Sequence, residues 1–270
     1  MDDALDDIRF LADSEHRAVV MSALADGPRS RADLRDVTGA SSATVGRMLQ
    51  AFEERGWLVR NGHEYALTAL GSFVARSFDG LHRDMAAARD LHELLPGVPL
   101  DDIGIGVEQL ADARVTRATH ENPFAVVSRV REIELTTDAG LSLTDFFPEP
   151  CIDGRYEAVV EGDQTFEAVF APVVIEKAMA SDAAEKFAAI VAADRSDVYV
   201  YEGPIEHPVM FHDGLACLIV RNDQNITEGL IETTDETVVE WVKDVFERHR
   251  ATARRLAPEE LATGEGEVVA

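Results

Sequence analysis

The sequence predicts an α+β protein in two parts joined by a long helix, and three observations carry the prediction. Residues 30–67 hold two short helices around Gly39 followed by a tight hairpin; Val74 to Leu95 repeats apolar residues at alternating spacings of 4 and 3; and beyond about residue 122 helical runs alternate with β-rich ones. At 270 residues the chain exceeds the usual single-core size. The expected parts are a small domain over 1–68, a linking helix over 69–95, an α/β domain on a mixed sheet over 103–255, and a tail over 256–270.

Ala4 to Leu11 and Ser14 to Ala25 read as opening helices, with Val19, Val20 and Leu24 turned inward. Ser30 is placed to cap a helix whose inner face is Ala32, Leu34, Val37 and Thr38, and Gly39 ends it because glycine enters the left-handed region cheaply. After the Gly39-Ala40 turn, Ser41 or Ser42 caps a second helix. Its apolar residues Val45, Met48, Leu49 and Phe52 share one face of a 3.6-residue repeat. Gly56 stops it, and Trp57 to Arg60 and His63 to Leu67 read as strands joined across Asn61-Gly62, a strong hairpin signal. Helix, turn, helix and hairpin in this order form a winged helix-turn-helix.

The outer face of the second helix carries Ser42, Ala43, Gly46, Arg47, Gln50 and Glu54. Small residues allow close approach to a groove, arginine reads guanine edges or phosphate, and glutamine can pair with adenine. The expected DNA-facing set is Arg29, Arg31, Ser42, Thr44, Arg47 and Gln50 with Arg60, Asn61 and His63 on the hairpin. The competing reading is a winged helix that docks protein.

Charge first argues against a polyanionic partner, since 51 acids face 25 bases for a net charge of −26. The distribution is uneven, however. Residues 27–60 hold six arginines against four acids, whereas residues 81–270 hold 38 acids against 16 bases. Only three lysines occur, at 177, 186 and 243. An acid-rich, lysine-poor chain suits a salt-in halophile, where molar salt screens self-repulsion within a few ångströms; an acidic mesophilic protein is the other reading.

Leu67-Thr-Ala-Leu-Gly71 opens the long helix, and Pro96 to Asp102 breaks it as a linker. Along it Val74, Phe78, Leu81, Met85, Ala88, His92 and Leu95 form a heptad seam, which asks for a partner helix. Pairing in a homodimer is the preferred reading because two half-sites multiply DNA contacts. Packing within the chain stays open.

In the second part, a helix from about Asn122 to Val130 leads to a strand Arg131–Thr137, then mainly helix from Leu143 to Glu161. A strand Thr165–Ala171, a helix Pro172–Ala193 broken near Ser181, and a strand Asp197–Glu202 follow. Three β runs, at Val209–His212, Leu215–Arg221 and Glu228–Glu232, precede a helix from Asp235 to Arg250. Mixed sheets of this kind bind ligands at the carboxyl ends of parallel strands. The candidate effector residues are therefore Thr136, Thr137 and Asp138, Glu202, and Thr233 and Thr234. For Thr233 the favoured use is capping, with Glu236 at capping-box spacing.

The winged helix with Leu67-Thr-Ala-Leu-Gly71, the α/β domain and the closing Thr233–Arg250 segment resemble archaeal transcriptional regulators related to the methanogenesis regulatory protein. The resemblance covers nearly the whole chain. More loosely it is similar to sugar-responsive archaeal regulators whose effector domain has a phospholipase D-like sheet. It implies a one-component regulator, with the first domain on double-stranded DNA and the second sensing a metabolite or partner.

Catalytic signatures are not found. None of the eight histidines has a lysine two residues on, as phospholipase D chemistry requires; there is no Gly-Lys-Ser/Thr phosphate loop and no Gly-x-Ser-x-Gly elbow. His207, His212 and Asp213 lack a placed third partner, so no metal and no cofactor is expected. Cys151 and Cys217 read as buried thiols. The acidic start and the lack of an 18-residue apolar run predict a cytoplasmic protein. The alternative to a regulator is a cytoplasmic α/β enzyme or interaction module.

Overall fold

In the computed structural model, which describes residues 2–222 and 224–262, the chain divides between Ala86 and Ala87, inside one long helix. The first unit opens with α1 (Asp2–Ala12) and α2 (Glu15–Ala25). A two-residue strand, β1 (Arg29–Ser30), leads into α3 (Arg31–Thr38). Ser30 caps α3 through a reciprocal pair: its hydroxyl accepts from the Asp33 N–H at 3.2 Å, and the Asp33 carboxylate accepts from the Ser30 N–H at 2.9 Å. Gly39 ends the helix at φ 65°. Ser41 then caps α4 (Ser42–Glu54) by accepting from the Thr44 N–H.

Hairpin strands β2 (Leu58–Asn61) and β3 (Glu64–Leu67) pair with Asn61 opposite Glu64, so the loop is Gly62-His63, one residue beyond the expected Asn61-Gly62. A positive φ of 65° at Gly62 alone fits a II′ turn, which places glycine first. Leu34, Val45, Leu49, Phe52 and Trp57 are buried together with Val20 and Leu24. Val37, expected on the inner face of α3, is instead 56% exposed.

The long helix α5 (Ala69–Leu91) starts on this core and ends in the next. Val74 and Phe78 pack on the first unit's core, whereas Leu91, Leu94, Leu95 and Val98 belong to the second unit's. The stretch expected as a linker thus contributes side chains to a core: Gly97 lies so close to Val220 and the Arg221 carbonyl that a side chain would not fit. A short helix α6 (Leu100–Ile103) and strand β4 (Arg114–Arg117) follow.

Helix α7 (Ala125–Thr136) corrects the strand expected over 131–137. Val126, Val130 and Ile133 recur at helical spacing and are buried, with Glu134 beside them. The strand lies later, at β5 (Ala139–Thr144), where a helix was expected from Leu143; α8 (Glu149–Tyr156) then begins at Pro148-Glu149.

The remaining order is β6 (Thr165–Phe170), α9 (Pro172–Met179), α10 (Ala184–Ala192), β7 (Ser196–Val200), β8 (Val209–His212), β9 (Leu215–Arg221), β10 (Thr227–Thr233), α11 (Glu236–Arg250), β11 (Arg254–Arg255) and α12 (Pro258–Ala262). Eight strands form one mixed sheet in the order β11-β7-β6-β5-β8-β9-β10-β4, parallel across β5, β6 and β7 and antiparallel elsewhere. Its two faces alternate as the pleat requires. Phe166, Ala168 and Phe170 of β6 face α8 to α10, while Val169 faces the layer containing α11. The fold runs past residue 255, where the tail was expected, with Leu256 5% exposed; residues 263–270 lie outside the described residues. Cys151 and Cys217 are buried and free. Among the described residues no helix is long and apolar enough to cross a membrane.

Candidate nucleic-acid interface and ligand cavity

The outer face of α4 forms because Val45, Met48, Leu49 and Phe52 take the inner one. It leaves Ala43, Arg47 and Gln50 exposed, with Gly46 half-buried. At Gly46 the Arg31 guanidinium lies across the helix, donating to the Ser42 carbonyl at 2.7 Å and occupying the space that a Cβ would enter. Arg31 therefore braces α3 against α4 rather than standing free.

The other basic residues of this stretch are also engaged. Arg29 donates to the Ala23 carbonyl, Arg35 pairs with Asp36, and Arg60 donates to the Gly62 carbonyl across the hairpin loop. Arg55 is tied to Asp7 and stacks 3.7 Å from the Phe10 ring centre. Among the described residues of 27–60, Arg47 is the arginine for which no such partner is found, and it is exposed. Gln50 donates to Glu54 at 2.9 Å, and the Thr44 hydroxyl lies 2.9 Å from that of Ser41 at the cap. Ser42 is exposed at the first turn of α4, and Asn61 and His63 are exposed at the hairpin tip.

The expected effector residues do not converge. Thr136, Thr137 and Asp138 end α7 and enter the amino end of β5, because the strand read there is a helix. Thr233 and Thr234 end β10, which runs antiparallel to β9, and so lie at that same edge of the sheet. Glu202 follows β7, at the opposite edge. Capping of α11 falls to Asp235, whose carboxylate accepts from the Thr237 and Val238 N–H groups, not to the expected Thr233–Glu236 pair; Thr233 accepts from the Asp235 N–H. Thr137 has a structural role beside His212, 3.2 Å from its Nδ1.

A cavity of about 620 Å³ instead opens at the carboxyl end of β5, between the sheet and α7. Val126, Val127 and Val130 of α7 and Met210 and Ile219 of the sheet form apolar walls. Glu134, Ser142 and Cys151 line it as well. Glu134 is only 1% exposed and pairs with Arg155, which is fully buried, at 2.9 Å. Arg155 also donates to Gln164, whose amide in turn donates to the Glu134 and Thr137 carbonyls. Among the described residues, Glu134 Oε2 and Arg155 Nε have no hydrogen-bond partners. Burial pushes the Glu134 carboxyl up to about 7, with Arg155 opposing the shift. Sequence reading missed this pair because residues 131–137 read as a strand, and the 21-residue separation of Glu134 and Arg155 carries no signal that brings the two together.

His212 is buried and His207 half-exposed, the latter 3.4 Å from Asp102. Among the described residues no group of three or more candidate ligands could hold a metal ion.

A winged helix ahead of an α/β unit on a mixed sheet defines a two-domain class of protein. The HVO_A0261 N-terminal domain matches residues 5–90, and the middle domain of the methanogenesis regulatory protein FilR1 matches residues 123–252. Together the two matches span well over half of the chain, one in each unit. No curated protein matches. Among solved structures, TrmBL2, an archaeal chromatin protein, is 15% identical over 92% of this chain and 98% of its own, with a TM-score of 0.43. The phospholipase D family member Nuc from Salmonella typhimurium is 10% identical over 54% of this chain and 97% of its own, with a TM-score of 0.41. NucT from Helicobacter pylori is 8% identical over 54% of this chain and 99% of its own, also at 0.41.

Proposed function

We propose that the protein is a DNA-binding transcription regulator without catalytic activity, acting as a dimer and responding to a small molecule through its second unit. The observation that carries the reading is Arg47, an unengaged cation on the outward face of a capped recognition helix, beside a hairpin bearing exposed Arg60, Asn61 and His63. The match of residues 123–252 to the middle domain of a methanogenesis regulatory protein supports it. Arg31, Arg29 and Arg55 supply local positive potential while holding the helices in register. The acidic surface elsewhere suits a salt-rich interior, where counterion release contributes less to affinity and short-range contacts contribute more.

Arg47→Ala is expected to weaken operator binding about 5- to 150-fold, the range for one base or phosphate contact of roughly 1–3 kcal/mol. Mobility-shift titration in high potassium chloride measures this, and unchanged affinity would remove α4 from the reading surface. Arg35→Ala, whose charge is already answered by Asp36, should change binding much less.

For dimerisation the supporting feature is the apolar stripe that α5 leaves exposed. Of the expected seam, Val74, Phe78 and Leu95 pack inside the chain, while Leu81, Met85 and Ala88 stay exposed, joined by Leu70 and Phe73. Phe73 and Met85 are 61% and 65% exposed, which is costly for an apolar face without a partner. Phe73→Glu with Met85→Glu is expected to yield monomers by light scattering, and a persistent dimer would move the interface elsewhere.

A further inference from the structure

We infer that the cavity at the carboxyl end of β5 binds an uncharged, largely apolar small molecule that donates one hydrogen bond to Glu134. The inference deepens the reading of the second unit as a sensor and rests on it only for regulation, not for binding.

At about 620 Å³ the cavity falls in the range of drug-sized ligand sites, which are mainly apolar with a few placed polar groups. Its mouth is apolar too: Phe124, Phe146, Val173 and Ile226, four of the second unit's exposed large apolar side chains, all line this one opening. In a chain with a surface this acidic, a cluster of exposed aromatic and aliphatic groups around a hole marks a binding site rather than chance exposure.

The polar groups then select the ligand. Thr144 is satisfied locally, donating to the Phe146 carbonyl and accepting from its N–H. Asp145 at the rim is held by Arg221. Glu134 differs: one carboxylate oxygen takes the Arg155 bond, and among the described residues the other, although buried, has no partner. A buried acceptor left unpaired is unfavourable, so a ligand that supplies a donor there gains what the apoprotein lacks.

Charge narrows the class further. Arg155 already neutralises Glu134, so a cationic ligand would leave an excess positive charge in a dry site, and an anionic one would meet the carboxylate. What remains is an alcohol, a phenol or a ring N–H on an apolar body. Lys177 stands exposed at the mouth, outside this selection.

The probe pair is 2-naphthol, which has the donor, and 2-methoxynaphthalene, which has the same rings without it. Titration calorimetry on the full chain is expected to give about tenfold tighter binding for 2-naphthol, and weaker binding of 2-naphthoate. Val127→Trp, a half-buried wall position, is expected to abolish both affinities while thermal melting shows the fold retained. Glu134→Leu with Arg155→Met removes the ion pair as a unit; it should keep 2-methoxynaphthalene binding and erase the preference. Equal affinities for the two probes on the unaltered protein, or binding that survives Val127→Trp, would overturn the inference. Operator affinity measured with and without saturating 2-naphthol separates the two claims. A change supports the sensing role, whereas probe binding with unchanged operator affinity leaves the site standing and removes its regulatory use.

Discussion

Arg155→Met alone is expected to destabilise the second unit by about 3–5 kcal/mol, the range for breaking a buried ion pair from one side. The arginine is 0% exposed, pairs with Glu134, donates to Gln164 and lies 4.0 Å over the Phe166 ring centre, so its loss strands a carboxylate and an amide oxygen together. Urea unfolding followed by a probe in the second unit measures the loss. The decisive comparison is the double variant with Glu134→Leu, which removes both charges and should recover most of it, because desolvation of the pair offsets much of its attraction. A single variant within about 1 kcal/mol of the unaltered protein would mean that Arg155 is not held as described.

The second large effect is one of pH and belongs to His212. Burial, reinforced by the nearby Arg155 charge, lowers its pKa from 6.5 to about 3, while a bond to the Ala139 backbone works the other way. Gly140 permits this arrangement, since Arg155 and His212 both crowd the place where a side chain would start. Because the folded protein holds the ring neutral and the unfolded chain protonates it below about 6.5, the stabilisation is complete above that pH and is lost progressively as pH falls toward 3. At roughly 1.4 kcal/mol per unit, about 3 kcal/mol has gone by about pH 4. Glu134 runs in the opposite sense: its raised pKa means that its unfavourable contribution above about 7 fades as pH falls toward 4.5. The two partly cancel in between, so His212→Gln is the informative partner. Its destabilisation at pH 7.5 should shrink by about 3 kcal/mol at pH 4; a difference independent of pH would place the ring in contact with solvent.

The helix-turn-helix and hairpin were legible because each signal in them is local. Ser30 with Asp33, Gly39, Ser41 and Gly62 act through bonds to residues within four positions, and these formed as the spacing implied apart from the one-residue shift in the loop. The strands Thr165–Phe170, Val209–His212 and Leu215–Arg221 were legible from apolar runs between turn residues. Residues 131–144 were not. There an alternating segment and a Gly-containing segment compete, and the helix wins because Val126, Val130 and Ile133 bury together against the sheet. That outcome depends on partners far along the chain, and it puts Thr136, Thr137 and Asp138 at the amino end of a strand instead of the carboxyl end.

The sequence by itself determined the local architecture of the first unit, the concentration of arginine in residues 27–60 and the acidity of the rest. Capping, turn geometry and charge count are properties of neighbouring residues, so a linear reading reaches them. Only the tertiary structure decided which arginines of residues 27–60 are spent on bracing helices, which part of the α5 seam is covered, and that Glu134 and Arg155, 21 residues apart, meet in the wall of a cavity. Those are questions of what lies across the fold, and burial by distant elements answers them.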